Sequence, residues 1–325
     1  MLPAPSIIIE WETGQEGHDG RSVACLAELG RQMREERSAF AAPPELILVF
    51  DPRQAPRREV EAAAAAAAGP SGWPGRLEIA AAPPGCDYYG MKNHGFARAS
   101  GDIVLFLDSD LLPEPGWLRA LAAPFADPAR SVVVGRTHFE TGTLYERAVA
   151  LFWIFDERLA ADEVRPTARL VSNNIAFRRP LFAALPFPTR STYRGQCSEL
   201  GAKLTRLGIV MYEATAARAV HPAPAGLRAF AARAAHAGRD SCVQAAIEGL
   251  GGRFEALRAW RRDLASVRRR IAHRAPAVGA GAGSRASALA LGALYYSIKA
   301  AAWFAEASRR RRSAPIPAGA EPAKG

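Results

Sequence analysis

Asp108 and Asp110 stand one residue apart at the end of the apolar run Ile103–Leu107, in a stretch that reads M-K-N-H-G-F-A-R-A-S-G-D-I-V-L-F-L-D-S-D over residues 91–110. Two carboxylates leaving one strand end together can share a hard divalent cation. That cation neutralises a diphosphate which acidic side chains would otherwise repel. A lone D-x-D is more often a solvated acidic loop. Here it follows a run apolar enough to be buried on both faces and precedes Glu114-Pro115-Gly116, a turn leading into a helix at Trp117. Ligands of open α/β sheets lie beyond the carboxyl ends of the strands, where this pair is placed.

Other chemistries lack their residues. No G-x-x-x-x-G-K-[ST], G-x-S-x-G or H-E-x-x-H occurs, and the glycines at 279–283 neither follow a strand nor have G-x-G-x-x-G spacing. Cys25, Cys86, Cys197 and Cys242 lie far apart with no C-x-x-C, which argues against a disulfide framework or structural zinc and for a reducing compartment. The first residues, M-L-P-A-P-S, carry no basic segment ahead of an apolar one, so no secretory signal is expected.

The elements that must position the aspartates are legible as short apolar runs. Residues 6–9, 45–50, 103–107 and 132–134 read as strands buried on both faces, the pattern of a mostly parallel sheet covered by helices. Between the first two runs, Val23, Leu26, Gly30, Met33 and Arg37 keep helical spacing, so the first 110 residues read as a βαβ-type unit. Leu144, Ala148, Leu151, Phe152, Phe155 and Leu159 form one stripe of a helix of about four turns, and Leu200, Leu204 and Leu207 form another that Gly208 ends. The aromatic group Phe152, Trp153 and Phe155 is expected in the core rather than as a sugar platform. The alanine run at 62–68 reads as plain helix.

Charge divides the chain in two. The 325 residues carry a net +10, but from Arg253 onward there are 15 Lys and Arg against four Asp and Glu, so the preceding body is nearly neutral. At 49% hydrophobic residues the chain has ample material for a core, and wholesale disorder is excluded. The tail reads as a basic helical extension (226–275), a Gly/Ala linker (276–285), an apolar helix with a polybasic end (286–312) and a disordered end (313–325). Nucleic acid is not the expected partner, because the basic residues are not interleaved with stacking aromatics. An anionic membrane surface is. The 286–307 segment is about long enough to span, yet Lys299 sits past its middle, where a lysine costs on the order of 2.5–3.5 kcal/mol. A helix at the interface is therefore favoured over a span or a helix packed on the body.

Taken in order, these pieces resemble the family 2 glycosyltransferases of the GT-A nucleotide-sugar fold, over residues 4–225. The matching parts are the S-I-I-I strand, the block from Asn93-x-Gly95 through Gly101-Asp102 to Asp108-Ser109-Asp110, the N-N-I-A-F-R-R run at 173–179, and His221-Pro222. The resemblance implies a Rossmann-like α/β domain over 1–225. It also implies a nucleotide-diphosphate sugar as donor, Mg2+ or Mn2+ as cofactor, and inverting transfer to an acceptor hydroxyl. By the same resemblance Asp108 and Asp110 handle the metal-bound diphosphate, with Asp110 the direct ligand. His221 matches a late histidine that helps hold metal or phosphate in some members. Lys92 and Asn93 match a basic-polar pair near the donor.

The chain also departs from the family. After the first strand it has Glu10-Trp11-Glu12, and after the second Phe50-Asp51, where members carry Pro-Thr-Tyr and an Asp pair. Trp11 can stack on a base, while Glu12 or Asp51 can accept from an imide N–H; Glu10 joins them as a donor-site candidate. In the acceptor half, Gln196 and Cys197 stand where members carry an acidic pair, leaving Glu199 as the candidate general base. The expected acceptor is a saccharide or lipid-linked glycan of the envelope or surface. The expected place is the cytoplasm, peripheral at the inner face of the membrane. A GT-A domain that binds nucleotide sugar or glycan without transferring it is the alternative. A nucleotidyltransferase is disfavoured, since Glu10-Trp11-Glu12 is not a Gly- and Lys/Arg-rich loop.

Overall fold

The computed structural model describes residues 1–11, 20–155, 157–158, 161–189, 195–247 and 252–313. Strands β1 (Pro5–Glu10), β2 (Glu45–Phe50), β3 (Leu77–Ala81) and β4 (Ile103–Leu107) run parallel in the order β3-β2-β1-β4. Helices α1 (Arg21–Glu35), α2 (Arg57–Ala68) and α3 (Tyr88–Phe96) make the crossovers. Every residue of β1, β2 and β4 is buried, and their side chains divide by strand alternation. Ile7, Ile9, Leu46, Leu48 and Leu105 face α1, α2 and α4 (Trp117–Ala122). Ile8, Ile47, Val49, Val104 and Phe106 face α3 and the short helix α6 (Arg179–Ala184), with α7 (Gln196–Arg206). Apolar residues at consecutive positions are what a sheet covered on both faces requires.

Beyond β4 the sheet turns mixed. Strand β8 (Asn174–Arg178) pairs antiparallel with both β4 and β6 (Val132–Phe139), and β6 runs parallel to β9 (Met211–His221). Two short strands, β5 (Leu112–Pro113) and β7 (Val164–Thr167), pair antiparallel with β9. This second half gathers the end of β9 beside the turn that follows β4. The α/β sheet with its parallel N-terminal half and helices on both faces is the GT-A architecture expected from the sequence.

Helix α5 (Leu144–Phe152) is shorter than its stripe predicts, since it stops at Trp153, while Leu159 lies outside the described residues. Its end is held by cations. Arg274 donates to the Ala150 and Trp153 carbonyls at 3.1 and 2.8 Å, and Arg270 to the Phe152 carbonyl at 2.9 Å. Arginines at a helix C-terminus satisfy carbonyls that lack helical partners. Phe152, Trp153 and Phe155 are buried, as the core reading expects.

The tail is a helical layer: α8 (Gly226–Ile247), α9 (Arg253–Arg274) and α10 (Ala282–Ser313). The region expected as a linker is short, because α10 begins at Ala282 and Ala280 is buried. One stripe of α10, with Ala288, Tyr295 and Tyr296, packs into the cluster of Phe152, Trp153 and Phe230. Gly238 of α8 lies so close to α10 that a Cβ there would stand 2.1 Å from the Lys299 carbonyl. Lys299 itself pairs with Asp263 of α9 at 2.9 Å. The helix thus docks on the body through one face, while Leu289 and Leu294 on another remain exposed. Among the described residues it is the one helix long and apolar enough to cross a membrane, with 22% of its apolar window buried.

Candidate active site

The carboxyl ends of β1 and β4 converge on a buried charge cluster. Lys92, one turn into α3, points back under the sheet edge with no exposed surface. Its Nζ donates to Glu10 Oε2 at 2.6 Å and to Asp108 Oδ1 at 2.8 Å. Tyr88, four residues earlier on the same helical face, donates its hydroxyl to Asp108 Oδ1 at 2.6 Å. Ser172 lies 3.5 Å from the Tyr88 hydroxyl and donates to the Tyr89 hydroxyl at 3.3 Å. Burial pushes the Glu10 carboxyl well above its ordinary range, Asp108 adds to this, and Lys92 opposes it. Burial alone would lower the Lys92 ammonium, but Asp108 and Glu10 overrule it and raise the group, so Lys92 stays charged. Burial and Asp108 likewise raise Tyr88, which keeps its proton to donate.

Asp110 faces the other way, toward β9. His221 Nε2 stands 3.6 Å from Asp110 Oδ2, and His221 Nδ1 lies 2.6 Å from the Pro222 carbonyl. A carbonyl only accepts, so the neutral ring carries its proton on Nδ1 and turns the Nε2 lone pair to Asp110. The ring is fixed from the side by Phe155 and Phe139, with centroids 4.9 and 5.6 Å away. Arg21, at the start of α1, ties the two segments together. It donates to the Asp110 carbonyl at 2.7 Å, to the Val220 carbonyl at 2.9 Å and to Glu140 at 2.7 Å.

A carboxylate oxygen beside an imidazole lone pair fits a divalent cation such as Mn2+, whose remaining positions water and a diphosphate would fill. No three His, Cys, Asp or Glu side chains converge into a closed metal cage among the described residues. An open site is what a metal shared with a substrate diphosphate needs.

The N-N pair at 173–174 supports this region from below. The Asn173 carbonyl accepts from the Asp108 amide at 3.1 Å. Asn174 accepts from Trp117 Nε1 at 2.9 Å and donates to the Ala217 carbonyl at 3.0 Å, tying α4 to β9. Only glycine fits opposite, since a Cβ on Gly135 would lie 2.2 Å from Asn174 Oδ1.

Other sequence candidates are placed differently. The Trp11 ring is 8% exposed and belongs to the core, which leaves little of its face for a base. Glu12 lies outside the described residues. Asp51 is buried at the end of β2, and its hydrogen bonds from Arg53 hold its carboxyl below the usual range. Asn93 spends its amide on the Phe187 backbone, donating at 2.8 Å and accepting at 3.2 Å. Gln196, at the start of α7, is buried and donates to Asp87 Oδ2 at 3.3 Å, while Asp87 caps α3 through the Gly90 amide. Glu199 is half-buried in the first turn of α7. Sequence reasoning missed Tyr88, Ser172 and Arg21. For Tyr88 the signal was its i, i+4 spacing from Lys92; for Arg21 and Ser172 no local pattern pointed to the site.

The α/β sheet, parallel in its N-terminal half, mixed beyond β4 and covered by helices on both faces, is that of a glycosyltransferase of the GT-A fold. Residues 26–185 match the family model described as "Glycosyl transferase family 2", so this part of the chain is a domain of that family. A 45-residue stretch is 44% identical to the pre-mycofactocin glycosyltransferase of Mycobacterium tuberculosis. That match covers 14% of this chain and spans about a tenth of the length of the curated relative. The fold is similar to a mannosyltransferase from Pyrobaculum calidifontis solved in complex with GDP-Man and Mn2+. The TM-score is 0.55 at 16% identity, covering 97% of this chain and 89% of that one.

Proposed function

We propose that the chain moves a sugar, with inversion, from a nucleotide-diphosphate sugar to an acceptor hydroxyl. The observation that carries this reading is the approach of His221 Nε2 to Asp110 Oδ2 beside the Lys92-anchored Asp108. Asp110 and His221 would hold Mg2+ or Mn2+; Mn2+ is the ion bound with GDP-Man in the Pyrobaculum enzyme. A bound divalent cation would supply charge stabilisation for the leaving diphosphate. Lys92 and Tyr88 keep Asp108 in one orientation, and Glu10 serves as the second counter-charge of Lys92 rather than as a donor contact. Asp51 and the exposed edge of Trp11 border the region proposed for the base.

Glu199 is the proposed base. It would take the acceptor proton as the acceptor oxygen attacks the anomeric carbon and the bond to the diphosphate oxygen breaks. The non-transferring alternative draws on Gln196, an amide in an acidic position and already engaged by Asp87. The acceptor is proposed as a saccharide or lipid-linked glycan. The exposed face of α10 is proposed to lie at the inner face of the membrane, and the GT-A domain is proposed to span residues 1–225.

The test is calorimetry of nucleoside diphosphate binding with and without Mn2+, alongside turnover of nucleotide sugars. Asp110→Ala is expected to abolish the Mn2+-dependent part of binding while the thermal melt stays cooperative. Unchanged affinity would remove Asp110 from the site. Tight donor binding with no turnover on any acceptor would favour the non-transferring reading.

A further inference from the structure

Two adjoining cavities, of about 480 and 470 Å³, share Arg136 and Arg165 as a common wall between β6, β7 and α9. Together they are lined by six guanidinium groups, from Arg136, Arg165, Arg169, Arg269, Arg270 and Arg274, against the carboxylates of Glu157 and Glu213. The two acids are already engaged by neighbouring cations. Glu213 pairs with Arg136 at 2.5 Å and with Arg165 at 2.8 Å, and Glu157 lies 3.7 Å from Arg274. Among the described residues Arg270 has neutral partners, the Phe152 carbonyl and the Tyr296 hydroxyl. Arg269 is exposed and makes no ion pair or hydrogen bond among the described residues. Among the described lining residues the cleft therefore holds more cationic than anionic groups. Its volume suits a small molecule.

The same cleft abuts the donor site. Thr137 and Val171 line it, and Thr137 Oγ1 donates to Asn173 Oδ1 at 3.3 Å. The backbone carbonyl of Asn173 holds the Asp108 amide, and Ser172, next to Val171, neighbours the Tyr88 hydroxyl. A molecule lying in the cleft reaches from the arginines of α9 to the backbone that carries Asp108. Planar guanidinium groups converging on one cavity recognise phosphate or carboxylate through paired, charge-assisted hydrogen bonds.

We infer that this arginine-lined cleft binds an anionic group, a phosphate or carboxylate, carried by the acceptor. The assignment to the acceptor rests on the transferase reading above; the anion site itself does not. The anion enters either on a soluble phosphorylated or carboxylated acceptor or as the phosphate of a lipid-linked one.

The test titrates the full chain with inorganic phosphate in the absence of metal, and compares Arg269→Glu and the Arg165→Glu/Arg269→Glu double variant. Thermal melts of both verify folding. Phosphate affinity is expected to fall at least about tenfold in the double variant, the effect of losing charge-assisted bonds and gaining like charges. Vesicles with about a third phosphatidylglycerol separate the two sources. Vesicle binding that falls with phosphate affinity assigns the anion to a lipid phosphate, and vesicle binding that does not change assigns it to a soluble acceptor. Phosphate affinity unchanged within about twofold in the folded double variant, or no phosphate binding by the wild type, overturns the inference. Nucleoside diphosphate titrations with Mn2+ read the donor half separately. A failure there removes the transferase reading and leaves the phosphate result to judge the cleft by itself.

Discussion

The Lys92 ammonium sits 2.8 Å from the Asp108 carboxylate with no exposed surface, and Glu10 completes its counter-charge at 2.6 Å. Lys92→Met removes the cation and leaves two carboxylates in one buried space. Breaking a buried pair in this way costs about 3–5 kcal/mol. The loss depends on pH with a definite sign. Burial and Asp108 already raise the Glu10 carboxyl, so the folded state holds that proton more tightly than the unfolded chain does. A raised carboxyl stabilises below its unfolded value and loses that contribution as pH rises through its folded value. Lys92→Met is therefore expected to melt closer to wild type at pH 5 than at pH 8. Equal losses at both, in scanning calorimetry, would show that the cost is packing rather than charge.

Glu114 gives the opposite dependence. It accepts from Arg158, His138 and Arg218 within 3.0 Å. Burial works against its ionised form, but these hydrogen bonds prevail and bring its carboxyl down to about 2. A depressed carboxyl stabilises above its unfolded value, and the contribution is lost as pH falls toward 2. The melting temperature is expected to drop between pH 4.5 and 2, and Glu114→Gln should flatten that drop while lowering stability at pH 7. An unchanged acid limb in the variant would mean that other carboxylates carry it.

What was legible in the sequence follows from how each part is stabilised. Strands β1, β2 and β4 are buried on both faces, so their apolar runs announce them. Strand β9 is rich in alanine, with Thr215 and Val220 its β-branched residues, which leaves a weak strand signal although it carries His221. Strand β7 lies exposed and contains Pro166, and neither marks a central strand. At the site, Asp108 and Asp110 stood out because their spacing is local. The partners that orient them lie 16 to 89 residues away in the chain, at Lys92, Tyr88 and Arg21, and only the fold brings them in. Trp11 follows strand alternation into the core, a direction that a motif comparison does not carry.

The tail cannot be removed as a mere anchor. Tyr295, Tyr296 and Trp303 of α10 are buried against the layer below. Burying each large apolar side chain is worth about 1.5–3 kcal/mol. Deleting residues 282–325 is therefore expected to cost more than about 4 kcal/mol, a large share of the stability of an ordinary domain. Arg309 and Arg310 both pair with the buried Glu306, which reduces the charge they offer an anionic surface. The membrane reading is better tested with the intact chain. Vesicle binding should weaken on raising salt from about 0.05 to 0.5 M, as screening shortens the reach of the arginines. Binding indifferent to both salt and anionic lipid would remove the electrostatic contribution, and a truncated chain that melts like wild type would contradict the packing argument.

Glu199 is the proposed proton acceptor, and its setting makes the test sharp. Gln196, one turn earlier, is held by Asp87, which fixes the start of α7 against the start of α3. That contact places the first turn of α7 beside the helix bearing Tyr88 and Lys92, on the same face of the sheet. A carboxylate at position 196 would face Asp87 and be repelled; an amide there can donate instead. In the first turn of α7 the carboxylate stands at Glu199 instead. General-base assistance is typically worth about 10²–10⁴-fold, so Glu199→Gln should lower turnover by that factor with donor affinity unchanged. Asp87→Asn is the companion variant, since Asp87 is the other carboxylate beside the start of α7. A loss below about fivefold in Glu199→Gln together with a large loss in Asp87→Asn would transfer the role to Asp87. Cys197→Ser should be nearly silent in turnover, because direct displacement at the anomeric carbon uses no thiol nucleophile.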